Sequence, residues 1–235
     1  MTPSAARWPA AQNAVRVDMA RVGASLFQRG LVHSTAGNIS VRLDEEAGGG
    51  VLITPTDACL GFLDPDRLAW VDDHGVQQAG DPASKTLTLH RRIYTHAPDA
   101  RCVVHTHSTH LVALTLQGVW SEDDILPPLT PYQVMKVGHV PLIPYELPGH
   151  PSVADAVASR IDAHQHQGRP LRAVMLERLG PTVWHHSPGA AMALLEELEE
   201  TAHLWQLTRP RPPQPPQPLS DARIDALRQR FNAPW

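Results

Sequence analysis

Three features of the sequence place this chain in the α/β class. Short apolar strands, Cys102-Val103-Val104-His105 the clearest, alternate with longer amphipathic stretches at helical spacing. Turn signals rich in Gly, Pro, Asn and Asp separate the two kinds of segment. Apolar residues fill 42% of 235 positions, ample for one core. One main domain is expected over residues 1–207, followed by a Pro-rich tether at 208–219 and a closing helix within 220–235. A net charge of −4 argues against a nucleic-acid partner or a membrane surface. No apolar run approaches a bilayer span, and the N-terminus lacks the pattern of a signal peptide. Two cysteines without a targeting segment point to a reduced, cytoplasmic setting.

In chain order, Val15, Met19, Val22 and Leu26 repeat at helical spacing and predict a helix over residues 8–30. Arg16, Asp18 and Arg21 fall off that stripe, and Gly30 is the stop. A turn of small and hydroxyl residues at 34–37 leads into a strand at 38–43; its N–H groups and hydroxyls could face an anion. Further strands are expected at 51–54 and 68–71, with a helical turn at Asp64-Pro65-Asp66 between them. A helix over 84–96 follows, with Leu87, His90 and Tyr94 facing inward. Ser84 and Lys85 at its start could hold a phosphate, or merely cap the helix.

The central strand ends in His105-Thr106-His107. Strand side chains alternate, so both imidazoles should point one way and could share a divalent metal. His110 falls on the other face if the strand continues, or elsewhere if a helix starts there. Strands are expected again at 134–140 and 142–145, after a Pro-rich loop at 121–131. Val153, Val157 and Ile161 mark a helix over 153–164; strands at 173–176 and 181–184 come next. Ser187 caps and Pro188 opens a long helix to residue 207, whose Glu196, Glu197, Glu199 and Glu200 read as a solvated face.

The residues resemble those of the class II aldolase/adducin family, and within it the 3-oxo-tetronate 4-phosphate decarboxylases. The matching stretches are Thr35-Ala36-Gly37-Asn38-Ile39-Ser40, Thr54-Pro55-Thr56, Cys59-Leu60-Gly61, Gly80-Asp81 with Ser84-Lys85, His105-Thr106-His107-Ser108-Thr109, Thr130-Pro131-Tyr132 and Val140-Pro141-Leu142-Ile143-Pro144-Tyr145. They cover about residues 15–207 in family order. The resemblance implies a three-layer α/β/α sandwich around a mostly antiparallel sheet, and a homotetramer with sites between subunits. It implies a metal-dependent lyase acting on a small phosphorylated sugar acid, with a divalent metal, usually Zn²⁺, on three histidines. Asn38, Thr56, Ser84 and Lys85 would grip the phosphate, and Tyr132 would serve a neighbouring subunit's centre. Other chemistry in the family is epimerase- or oxygenase-like, and adducin heads are catalytically silent.

Three positions depart from that pattern, the third, Asp57, more mildly than the others. Thr86 stands where the family usually carries a proton-carrying Glu, so the catalytic pair to expect here is Tyr132 and Thr86. Leu179 stands where the third metal histidine would precede Gly180, leaving His105 and His107 with a weakened site. Glu177, two residues earlier, is the local candidate for a third ligand, or a solvated loop carboxylate. Asp57 would add a carboxylate beside the phosphate unless it points away. Decarboxylation of a β-keto acid needs no proton abstracted first, so it tolerates the missing Glu better than aldol cleavage does.

Overall fold

The computed structural model describes residues 8–208 together with 220, 222, 225, 226 and 229. The Pro-rich tether and most of the closing helix lie outside the described residues. Eight strands form one sheet: β1 (Asn38–Arg42), β2 (Val51–Ile53), β3 (Ala69–Val71), β4 (Gln77–Ala79), β5 (Cys102–His105), β6 (Leu142–Ile143), β7 (Ala173–Leu176) and β8 (Gly180–His185). Their order is β4-β3-β2-β1-β5-β8-β7-β6. Every neighbouring pair is antiparallel except β6 with β7. Strand β5 sits at the centre, with His105 opposite Asn38 on one side and Thr182 on the other.

Helices α1 (Asn13–Gln28), α3 (Thr109–Gln117) and α5 (Pro188–Thr208) cover one face of the sheet, and α2 (Leu87–His96) and α4 (Pro151–His166) cover the other. The alternation of strand side chains divides the core accordingly. Val104 and Cys102 pack with Met19, Leu111 and Leu195; Val103 packs with Ile93, Val157 and Trp184. This is the three-layer α/β/α sandwich that the resemblance implied, built on a mostly antiparallel sheet.

Several local expectations fail for identifiable reasons. Residues 134–140 do not form a strand: Gln133–Val137 is a short π-helical turn, with Gln133 accepting from Leu129 N–H. The short strand Gln77–Ala79 has no apolar alternation, because it lies at the sheet edge with its glutamines in solvent. Arg16 is buried: its guanidinium reaches the Pro65 carbonyl, the Asp66 carboxylate and Asn13 while stacking on Trp8. Helix α2 opens at Leu87, so Ser84 and Lys85 lie in the loop before it.

Glu199 is not solvated either. It is buried, and its carboxylate accepts from the backbone N–H groups of His110 and Leu111 and pairs with the His110 ring. A distant helix thus caps α3, whose first-turn N–H groups favour negative charge. Glu199→Ala would strand those donors, and a loss of about 3 kcal/mol is expected. Urea unfolding checks this: the midpoint should fall with the slope unchanged.

Candidate active site

Two glycines shape the end of β5. At Gly37, with φ +83°, an added Cβ would meet the His105 carbonyl oxygen at 2.7 Å; at Gly180, with φ +144°, it would meet the Thr106 carbonyl oxygen at 1.9 Å. The turn that leads into Asn38 and the turn bearing Leu179 therefore press against the His105-Thr106-His107 segment. Beside it lies a cavity of about 240 Å³ lined by Asn38, Lys85, Thr86, His105, His107 and Leu179, and closed by Leu147, Pro148, Gly149 and His150 from the loop before α4.

Strand β5 ends at His105, and His107 lies beyond it, yet the two rings face each other edge-on with centroids 5.2 Å apart. The Nδ1 of His105 lies 3.0 Å from both the Pro181 carbonyl and Thr182 Oγ1. A proton on Nδ1 donated to that carbonyl leaves the Nε2 lone pair free. Burial pushes the His105 ring down to about 3, with repulsion from His107 and His90 adding to it. Burial, then the neighbouring His33, lowers His107 as well. Both imidazoles are neutral near pH 7, the form that ligates a metal. Beneath them Ser40 Oγ lies 2.7 Å from both His90 Nδ1 and Tyr94 OH. Asn38 Oδ1 and His90 Nε2 are buried without a protein partner.

The donor set fits a divalent cation but stops one protein ligand short. His105 and His107 can occupy two positions, and no group of three or more His, Cys, Asp or Glu among the described residues is placed to hold a metal. Leu179 lines the same cavity where a third ring would be needed. Glu177 does not line it; its Oε2 accepts from Tyr145 N–H, so its carboxylate anchors the chain leaving β6.

The proposed phosphate residues divide. Asn38 and exposed Lys85 line the cavity. Thr56 does not: its N–H donates to Pro82 O and its hydroxyl to Ala83 O, so it holds the 82–86 loop in place. Ser84 Oγ bonds Thr86 Oγ1 at 2.9 Å, a local brace of the same loop. Thr56 and Asp57 line a second cavity with Cys59, Arg67 and Asp81, not the one that the histidines line. Tyr132 is exposed at the start of the π turn and lines neither cavity. His150 was not singled out from sequence. The available signal was Pro151, which opens α4 and makes His150 its N-cap.

The fold and this site define a class II aldolase-type protein. Residues 17–206 match the Class II Aldolase and Adducin N-terminal domain, and the chain belongs to that family. It is 53% identical to a 3-oxo-tetronate 4-phosphate decarboxylase of Cupriavidus necator, over 95% of this chain and 99% of that protein. The crystal structure of YgbL from Escherichia coli, a candidate aldolase/epimerase/decarboxylase, matches with TM-score 0.76 and 37% identity over 93% of this chain and 99% of its own. That of an L-fuculose-1-phosphate aldolase from Thermus thermophilus matches with TM-score 0.66 and 29% identity over 83% and 97%.

Proposed function

We propose that this protein is a metal-assisted carbon–carbon lyase that decarboxylates a small 3-oxo sugar-acid phosphate of the 3-oxo-tetronate 4-phosphate kind. The observation that carries the reading is the convergence of two neutral imidazoles, Asn38 and Lys85 on one cavity whose described lining residues include no carboxylate. The 53% identity with a decarboxylase over nearly both full lengths supports it.

His105 and His107 would hold the cation, Zn²⁺ being the usual choice for imidazole ligands. When bound, it supplies Lewis-acid polarisation of the substrate's carbonyl oxygen. Lys85 meets the phosphate with its ammonium group, and Thr56 and Ser84 hold Lys85's loop. The unpartnered Asn38 amide oxygen accepts from a substrate hydroxyl. The apolar wall of Leu89, Val153, Leu176 and Leu179 excludes water from the carboxylate that leaves as CO₂. Thr86 cannot abstract a proton, and loss of CO₂ does not require that.

CO₂ release from 3-oxo-tetronate 4-phosphate tests the reading. Lys85→Ala should raise KM by about 10- to 100-fold, the worth of one charge-assisted phosphate contact, with the melting temperature unchanged. No CO₂ release together with no uptake of Zn²⁺ would instead assign a catalytically silent scaffold.

A homotetramer is proposed as the working assembly. The exposed apolar cluster of Leu129, Tyr132, Val134 and Met135 supports it, and Tyr132 would there reach a neighbour's cavity. Light scattering giving the 25.8 kDa monomer mass would overturn it. No helix among the described residues is long and apolar enough to cross a membrane. Cys59 and Cys102 are both free thiols, which supports a cytoplasmic setting.

A further inference from the structure

Decarboxylation leaves a carbanion that must be protonated, and the family's usual Glu is absent here. Four titratable side chains line the cavity: Lys85, His105, His107 and His150. Among the described lining residues there is no Asp, Glu, Cys or Tyr. Lys85 is the phosphate's counter-charge. His105 and His107 are pushed toward the neutral form by burial, and a bound cation would take the lone pair of each.

His150 differs on each count. It lines the cavity from the loop before α4, and it is exposed, so solvent can reach it. Its Nδ1 lies 2.7 Å from Ser152 Oγ, to which an Nδ1–H can donate; the longer 3.3 Å contact from Ser152 N–H forms only when Nδ1 carries no proton, and Nε2 has no hydrogen-bond partner among the described residues. A ring tethered at Nδ1 presents Nε2 as its working edge. Gly149, with φ +78°, places His150 just ahead of the helix that fixes it.

We propose that His150 is the catalytic acid that protonates the carbanion left by CO₂. The assignment rests on the decarboxylase reading above. The C1–C2 bond of the 3-oxo acid breaks and CO₂ departs. The bonding pair becomes the C2=C3 double bond, and the carbonyl pair moves onto oxygen. The His150 imidazolium then delivers its Nε2 proton to C2, the C3 carbonyl re-forms, and dihydroxyacetone phosphate results. Neutral His150 regains a proton from water, so one proton is consumed for each CO₂ and nothing is oxidised or reduced.

The test is to run the reaction in D₂O with the metal-loaded enzyme and His150→Asn. Asn keeps an acceptor at the α4 N-cap but carries no transferable proton. The wild type should give a monodeuterated hydroxymethyl carbon of one configuration. His150→Asn should still release CO₂, with kcat down about 10²- to 10³-fold. Its product should carry the label in both configurations, and an added one-electron oxidant such as ferricyanide should intercept the released enediol. An unchanged rate with one configuration in His150→Asn overturns the assignment and leaves the decarboxylase reading standing. No CO₂ from the wild type overturns that reading and the assignment with it.

Discussion

Replacing Leu179 with His is expected to tighten Zn²⁺ binding at least about 100-fold, the upper end of what even an indirect metal partner contributes. Leu179 already lines the cavity with His105 and His107, and the close fit of Gly180 against Thr106 holds its backbone beside them. A third imidazole would bring the donor set to the number that catalytic Zn²⁺ sites use. The exchange forfeits part of the apolar contact Leu179 makes with the core under α2 and α4, about 1–2 kcal/mol of stability. Calorimetric titration of Zn²⁺ into both proteins checks it. Equal affinities would mean that position 179 does not address the histidine pair, and the cation would then have to sit elsewhere or not bind.

Acidification should destabilise the protein steeply between about pH 6.5 and pH 3, with His90 as an identifiable source. Burial lowers the folded-state value of His90 from 6.5 to about 3. Below pH 6.5 the unfolded chain takes up a proton that the folded chain refuses until about pH 3. The stability contribution is therefore complete above 6.5 and lost as pH falls, at about 1.4 kcal/mol per pH unit. His105 acts in the same direction where it carries no ligand. At pH 4.5 His90 alone should cost about 3 kcal/mol. Unfolding free energies measured from pH 7 to pH 4 should show His90→Gln with a slope smaller by about 1.4 kcal/mol per pH unit below pH 6.5. An unchanged slope would place the acid sensitivity on other groups.

The central strand, the first helix and the histidine pair were legible in the sequence because their signals are local, whereas the three-layer arrangement came from the family resemblance. The β-branched run at 102–104 and the spacing of Met19, Val22 and Leu26 state burial directly. What was missed depends on partners far along the chain. Glu199 reads as one of four helix glutamates until the N-terminus of α3, 88 and 89 residues away, is set against it. Arg16 looks exposed until the turn carrying Asp66 closes over it. Residues 134–137 have strand composition but no strand to pair with. Thr56 carries a family motif, yet its donors are spent on the Pro82–Ala83 backbone. His150 is invisible as a cavity residue because loop conformation, not periodicity, carries it there.

Placing β5 at the centre of the sheet has a consequence for how the protein is made. Its left-hand neighbour, β1, precedes it, but its right-hand neighbour, β8, follows; the Pro181 carbonyl that orients His105 lies 76 residues further on. At ribosomal speeds of about 5–20 residues per second, roughly 4–15 s pass between synthesis of the two. Throughout that interval one edge of an apolar strand waits unpaired, open to strands of other nascent chains. The end of β5 that carries His105 thus cannot be completed until β8 has been made. Yield in the cell should respond to translation rate and chaperone supply more than to the stability of the finished fold.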